Sequence, residues 1–400
     1  MRVSTSQIYA LGAESIGKTQ SDLLNTQQQI AAMRRILAPS DDPVGSASAV
    51  GVRQSQAGVD RHDASIGVAK DSLGQYDSVL TSIVTLLQNA RTTTVNAGNG
   101  TLNDSDRGAL ATQLSQQLDQ LVGLANSKDG QGNSMFAGFS VGAQAFVKTA
   151  SGVVYNGDSG VRSLEVGAGR NMAVSVPGDA LFLANPTGNG RFVATAAAAN
   201  TGSAVVGTTQ AVGALDGHTY TVTFNVSGGV TTYDVFDATT STSVSTGNAY
   251  TDGAAITVAG MQFTASGSPA NGDVVNLAPA SRQSVFDTLS DIVAALKTPA
   301  GDAAGRAALA NRLGAGLANL DQALENVMTH QAQGGAQLSE LDSLSSLDSD
   351  RSIAYSKTLS SIEDLDLAKA TSDFAKQQIA LEAAQKSFLS VTGLSLFNEM

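Results

Sequence analysis

The sequence predicts an α+β protein. It is read as an elongated rod of long terminal helices packed as an antiparallel helical bundle or coiled coil, with a β-rich middle forming the distal tip. Three observations lead there. Apolar residues recur every seven positions near both ends, as Tyr9, Ile16, Leu23, Ile30 and Leu37 and again as Leu367, Phe374, Leu381 and Phe388. From Phe136 to Ala280 the texture changes to Gly, Thr, Ser, Ala and Val, with no lysine between Lys148 and Lys297. The order of helices, strands and helices lets the two ends lie side by side while the middle projects.

The first element is a helix from about Ser4 to Leu37, rich in Gln, Ala, Leu and Ile. Ala38-Pro39-Ser40-Asp41-Asp42-Pro43 stops it, because proline disfavours helical geometry in the residue before it. Pro43 suits the first position of a new helix, and Asp42 is the candidate N-cap, its carboxylate accepting from exposed first-turn amides. The second helix runs towards Thr94 with two interleaved rows, Ile66, Leu73, Leu80 and Leu87 beside Ala69, Tyr76, Ile83 and Ala90. Rows of this kind are usually just the core of a helical bundle. A loop at Val95–Thr101 leads to a third helix, capped by Asp104 or Asp106 and reaching about Lys128.

In the middle, alternation replaces heptads. Tyr220, Val222, Phe224 and Val226 lead through Gly228-Gly229 to Tyr233 and Val235, which reads as a hairpin. Ile256 and Val258, Met261 and Phe263, and Val274 and Val275 read as further short strands, whereas Thr239–Thr246 is polar, low in complexity and expected to be a mobile loop. Helical texture returns at Ser281 with a short helix ending near Pro299. A longer helix follows from about Ala303, weakened at Gly334-Gly335. Ser361-Ile362-Glu363-Asp364 resembles a capping signature that would open the last helix, carrying the C-terminal seam to about Gly393.

These elements divide into a terminal helical pair (1–38 with 360–400), a helical rod (43–135 with 282–358), a β-hairpin extension (136–187) and a β-rich outer domain (188–280). Helices over Ser4–Leu37 and Pro43–Thr94 would be roughly 50 and 75 Å long at about 1.5 Å per residue. Burying the N-terminal seam residues yields on the order of 8–15 kcal/mol. Fixing that helix's backbone costs roughly 35–70 kcal/mol, offset in part by helix hydrogen bonds and propensity. The terminal pair is therefore marginal alone, and it is expected to be disordered in the monomer and ordered by neighbouring subunits. The prolines set this seam apart from the intervening core, which can form without it.

Composition bounds the function classes. The chain has 400 residues and 42% apolar content, enough for two or three domains with real cores. It has 41 Gly, 7 Pro, no Trp and no Cys, so disulfides, thiolate nucleophiles and thiolate metal sites are excluded. A net charge of −12 argues against nucleic acid, whose phosphates need basic patches. The first twenty residues lack the apolar run of a signal peptide, and no stretch is long and apolar enough for membrane insertion.

Catalytic patterns are equally thin. His62, His218 and His330 stand far apart without metal-ligand spacing, and they read as ordinary surface or seam residues. Asp41-Asp42 beside two prolines reads as a capped turn rather than a metal pair. Gly167-Ala168-Gly169 and Gly188-Asn189-Gly190 read as turns rather than phosphate loops. Asp158 and Glu165 could be imagined as an acid–base pair, yet solvated residues around Asn156-Gly157 are the plainer account. No catalytic residue, metal or cofactor is called for.

Met1-Arg2-Val3-Ser4-Thr5-Ser6 and Tyr9, followed by Pro39-Ser40-Asp41-Asp42-Pro43, resemble the start of the flagellar hook-filament junction family, hook-associated protein 3 (FlgL), in the flagellin superfamily. Ile362-Glu363-Asp364-Leu365-Asp366 looks like that superfamily's entry to the last helix, and Leu394-Ser395-Leu396-Phe397 like this family's ending. Gly138 in Met135-Phe136-Ala137-Gly138, and Tyr155 to Gly160, are similar to the family's central pattern. Flagellin is the nearest competitor, but it usually shows Lys-Asp-Asp-Ala-Ala-Gly where this chain has Ser40-Asp41-Asp42-Pro43-Val44-Gly45. The family commonly has a Gly-Lys-Arg type turn where this chain has Met33-Arg34-Arg35, which predicts a first helix running closer to Pro39.

The resemblance implies a non-catalytic structural adaptor. A ring of copies would join the hook-side junction protein (hook-associated protein 1) to flagellin. It also implies unfolded type III export without a cleaved signal peptide, an export chaperone holding the C-terminus, and an extracellular place in the flagellum. A secreted adhesin or carbohydrate enzyme carried by the β-rich region is a remote alternative.

Overall fold

The computed structural model describes residues 5–142, 144–150 and 152–397, and their side chains except at 5, 6, 8 and 391–397. Met1–Ser4 of the N-terminal motif and the side chains of Leu394–Phe397 lie outside the described residues. Among the described residues, three α-helices are followed by fourteen short strands and then by three more α-helices. Cα proximity separates two compact units, 1–64 with 343–400 and 65–342.

The first unit contains α1 (Thr5–Ala32), the start of α2 (Pro43–Ala97), the end of α5 (Ala303–Glu363) and α6 (Leu367–Phe397). Helix α1 stops five residues short of the expected Leu37. The reason is local: Met33 adopts φ 50°, Met33 N donates to Ile30 O at 3.3 Å and Arg34 N to Gln29 O at 3.1 Å. This pair of bonds is a Schellman ending, with a methionine where glycine is normally found. The expected capping signature at Ser361–Asp364 ends α5 instead of opening α6. Asp366 caps α6, its Oδ1 accepting from Lys369 N at 3.0 Å.

The second unit has a helical core and a β core. The seam residues Ile66, Ala69, Leu73, Tyr76, Leu80, Ile83, Leu87 and Ala90 of α2 are all buried. From Tyr76 onward they pack with α3 (Asp104–Ala125) and α4 (Val285–Lys297) around an aromatic cluster. In that cluster Phe182 stacks on Phe286 at 5.5 Å and meets Phe136 and Phe146 edge-on at 5.4 and 5.2 Å. Asn103 caps α3 in a reciprocal box with Asp106, and Asn126 ends that helix before Lys128 by pairing with Phe146. Helix α5 continues through Gly334-Gly335 because Gly334 faces the Tyr76 ring, so tertiary packing overrides low propensity.

The middle opens with two hairpins, β1 (Phe146–Thr149) with β2 (Gly152–Tyr155) and β3 (Ser163–Gly167) with β4 (Arg170–Ala173). A single π turn (Asp179–Leu183) precedes β5 (Asn185–Pro186), which pairs with β14 (Arg282–Gln283). Between them lie β6 (Phe192–Ala196), β7 (Val205–Ala211), β8 (Tyr220–Ser227), β9 (Val230–Asp237), β10 (Thr242–Ala249), β11 (Ala255–Val258), β12 (Met261–Ser266) and β13 (Val274–Pro279). These form antiparallel sheets ordered β10-β9-β8-β13-β6 and β11-β12-β7 over one core containing Phe192, Val222, Phe224, Phe263 and Leu277. In the β8–β9 hairpin Ser227 pairs with Val230 across Gly228 and Gly229, both at positive φ. The expected mobile loop at Thr239–Thr246 is mostly β10. That strand lies at a sheet edge with largely exposed side chains, so it shows no apolar alternation for a sequence reading to detect.

Candidate functional site

Helices α1 and α6 pack antiparallel, with the Tyr9 and Phe388 rings edge-to-face at 6.1 Å and a backbone bridge between Arg34 and Asp364 at the other end. Tyr9, Ile16, Leu23 and Ile30 are half-buried, as are Phe374, Leu381 and Phe388 on α6. Leu37 lies past the helix end and is 38% exposed, and Leu367 opens α6 at 48% exposed. The turn at Met33 takes Leu37 off the α1 stripe, and the start of α6 places Ala370, not Leu367, in the buried position.

A second row alternates with the large residues: Gly12, Thr19 and Thr26 on α1, and Ala370, Gln377 and Ala384 on α6, each half-buried or buried. Every member lies three residues after a large one, the other half of a two-row heptad seam. Sequence reasoning overlooked this row because its residues are small or polar, although the spacing was legible. At Gly12 a Cβ would come within 2.8 Å of the Phe388 ring, so that ring sits on bare backbone. Outside the seam α1 carries exposed Leu11 and Leu24, and α6 carries exposed Ile379 and Leu389.

A charged knot closes the base of the pair. Arg35 N donates to Glu363 O at 2.8 Å, and the Arg35 guanidinium donates to Ile362 O at 2.6 Å and to Asp42 Oδ2 at 3.1 Å. Glu363, with a side chain 13% exposed, accepts from Arg53 at 2.5 Å and lies 3.4 Å from Arg34. The guanidinium bonds from Arg35 to Ile362 O and from Arg53 to Glu363 are charge-assisted and join segments more than three hundred residues apart in sequence. Asp42 Oδ1 accepts from Gly45 N at 2.8 Å, and this bond, with the Arg35 contact, holds its carboxyl below the usual range. Asp41 Oδ2 accepts from Leu37 N and Ala38 N at 3.0 and 2.8 Å, folding the loop that contains Pro39, and Pro43 is the first residue of α2. The arginines gave no periodic signal to a sequence reading.

The remaining chemistry-bearing candidates are spent on structure. Asp158 Oδ1 accepts from Phe139 N and Gly160 N at 2.9 and 2.8 Å, and Oδ2 accepts from Ser140 Oγ at 2.9 Å. Tyr155 OH lies 2.9 Å from Phe136 O and 2.8 Å from Asp158 O, so Gly138 and the Tyr155–Gly160 run form one brace. Glu165 accepts from Gly169 N within the β3–β4 turn, and Asn189 Oδ1 accepts from Arg191 N and Phe192 N in the Gly188–Gly190 turn. His62 and His330 are half-buried on α2 and α5.

His218 departs from the plain surface reading. Its Nδ1 lies 2.8 Å from Asp237 Oδ2 and 4.0 Å from Asp216 Oδ2, and Tyr220 OH donates to Asp216. The bond to Asp237 raises the imidazole pKa. Enclosure pushes the Asp237 carboxyl up, but bonds from Thr240, His218 and Thr239 outweigh it and bring the value down to about 2. No group of three or more metal-ligating side chains occurs among the described residues, and no described helix is long and apolar enough to cross a membrane.

A helix pair formed by the two chain ends, with an intervening β-rich segment, defines the flagellin-like class of axial proteins. Residues 3–140 match the bacterial flagellin N-terminal helical region. Over its full length the chain is similar to flagellar hook-associated protein 3 of Escherichia coli, at 29% identity and covering 99% of each chain. Among solved structures, FlgL of Xanthomonas campestris is 33% identical with a TM-score of 0.71, covering 77% of this chain and 99% of that one. The flagellar junction protein FlgL of Legionella pneumophila is 30% identical with a TM-score of 0.73, covering 79% and 100%. Flagellin of Listeria monocytogenes is 26% identical over 32% of this chain and 44% of its own length. The chain belongs to the flagellar hook-associated protein 3 (FlgL) family, and it is a structural component of the bacterial flagellum.

Proposed function

We propose that this chain is the adaptor at the hook-filament junction, a ring of copies joining the hook-side junction protein to the first flagellin subunits through their terminal helices. The observation that carries this reading is the half-covered seam of α1 and α6. Its large residues are half-buried within one chain, while Leu11, Leu24, Ile379 and Leu389 face outward. Apolar area left open at both helices is driving force for association, at about 25 cal/mol per Å² buried.

The same marginal stability suits a terminal pair that opens in the free subunit, passes unfolded through the flagellar export apparatus without a cleaved signal peptide, and is held by a chaperone at its C-terminal helix. On this account the protein works outside the cell and is non-catalytic. Tyr9, Ile16, Leu23, Ile30, Phe374, Leu381 and Phe388 are the assembly residues, and Asp42, Pro39 and Pro43 fix the turn that sets them apart.

Deletion of the gene tests the reading: hooks should remain intact while monomeric flagellin escapes into the medium, and the wild-type chain should restore filaments. Hooks that still carry filaments after deletion would refute it. The competing reading is a filament-forming subunit, since residues 3–140 match the bacterial flagellin N-terminal helical region. Long filaments grown from the purified chain alone would favour that one.

A further inference from the structure

The helices and the strands β6–β13 of the second unit do not share a core. One apolar cluster gathers α2, α3, α4 and α5 around Phe182 and Phe286, another gathers the strands around Phe224 and Phe263, and the two have no residue in common. What ties the strands to α5 is polar. Asn311, Asn319 and Asn326 follow one another at eight and seven residues and lie along one side of the helix. Asn326 donates to Asn185 Oδ1 at 2.9 Å, and Asn319 accepts from Gly188 N and donates to Gln283 Oε1, both at 2.8 Å. These two fix the root of the β5–β14 ribbon, through which the chain enters and leaves the strands.

Asn311 stands about 12 Å further along α5, at about 1.5 Å per residue, and grips the strands themselves. Its amide donates to Ala204 O at 3.0 Å and its Oδ1 accepts from Val206 N at 2.7 Å. The pair of bonds imitates a neighbouring strand on β7, an edge of the three-stranded sheet. Beside Asn311 the two surfaces stand apart. A groove of about 830 Å³ separates them, walled by Ala194, Ala196 and Ala204 on one side and by Ala304, Ala308 and Ala315 of α5 on the other. Small residues on both walls leave it unfilled, so close apolar packing does not lock the strands against the helix there. Two folded bodies joined by a narrow ribbon and a small polar interface turn on one another unless a specific contact holds them.

We propose that Asn311 is the latch of a hinge. Bound to β7, it holds the strands off α5; released, it lets them rotate about the β5–β14 root and close the groove, with both cores intact. Closure brings the alanine walls together and buries apolar area that the latched position leaves open. The strands thereby change tilt while the helical core keeps its packing, whichever partners the terminal helices meet.

The chain has no cysteine, so Glu325→Cys on α5 and Val230→Cys at the β8–β9 turn, both exposed, accept a pair of spin labels in the full-length protein. Double electron–electron resonance reads the distance between them. With Asn311 in place one narrow distance is expected. Asn311→Ala is expected to raise the population at a second, shifted distance about tenfold, because two neutral hydrogen bonds are lost. Asn311→Asp, which keeps the acceptor for Val206 N and sets a carboxylate against Ala204 O, is expected to do the same. Adding Ala308→Leu to Asn311→Ala fills the groove and is expected to abolish the second distance. Hydrogen exchange at Phe224 and Leu320 is expected to stay as in wild type. A single unshifted distance in both Asn311 variants overturns the proposal, and so does a second distance that survives Ala308→Leu. Faster exchange at Phe224 or Leu320 in both variants also overturns it, since the asparagine would then support a core instead of a hinge.

Discussion

Substituting Gly138→Ala should damage the second unit far more than the same change at Gly132. Both glycines have positive φ, 69° and 85°, where an alanine costs about 1–2 kcal/mol of backbone strain. At Gly132 a Cβ would meet nothing within 4 Å, so strain is the whole penalty. At Gly138 it would lie 2.2 Å from Asp158 Oδ1 and 2.3 Å from Asp158 O, closer than real Cβ atoms approach. Relief requires moving the residue whose carboxylate holds Phe139, Ser140 and Gly160, because the backbone oxygen in the overlap cannot swing away. Overpacking of this kind adds about 1–3 kcal/mol, giving about 2–5 kcal/mol in all against about 1–2 at Gly132. The assay is urea unfolding followed by far-ultraviolet circular dichroism, with hydrogen exchange at Phe136 and Phe146 reporting the neighbouring core. Equal losses at the two positions would refute the overlap argument and leave only glycine's conformational freedom.

Other consequences follow from the terminal pair and the outer sheets. Met33→Gly should stabilise the α1 C-terminus by up to about 1 kcal/mol, read as slower exchange at Arg34, since Met33 is 67% exposed and leaves little packing to lose. Glu363→Gln removes the charge gathering Arg34 and Arg53, so α1 and α6 amides should exchange about tenfold faster while the 65–342 unit stays unchanged; uniform loosening of both units would count against the knot. Asp237 has a folded pKa lowered to about 2, so its contribution is full above about pH 4 and declines as pH falls towards 2. His218 is shifted the other way, so its contribution is full below about pH 6.5 and fades as pH rises through its higher folded value. The turns at 216–220 and 237–240 should therefore be most protected between these limits. Asp237→Asn should flatten both flanks, and an unchanged pH profile in that variant would exclude the pair as the cause.

Much of the fold was legible because helices and hairpins are written in local periods. The rows from Ile66 to Ala90 and the alternation from Tyr220 to Val235 each follow one spacing, and each is met by a single packing face. The misreadings fall where the period was absent or ambiguous. Thr239–Thr246 looked like a loop because an exposed edge strand has no buried side to mark. Ser361–Asp364 looked like a helix start because capping residues serve either end, and it is distant Arg34, Arg35 and Arg53 that meet Ile362 and Glu363 where α5 closes. The candidate site was half visible: Tyr9, Ile16 and Leu23 stood out, whereas Gly12, Thr19 and Gln377 did not.

The sequence by itself determined that helices with one apolar stripe lie towards both ends, that a loop with Pro39 precedes the second helix, and that the middle is β-rich. These properties depend on neighbours within a few turns of chain. The tertiary structure decided where α1 ends, which residues form the second row, and that the Phe388 ring sits on the bare backbone of Gly12. Those outcomes depend on contacts between residues at opposite ends of the chain, such as Gly12 with Phe388 and Arg53 with Glu363, and no local spacing encodes which distant side chain will arrive.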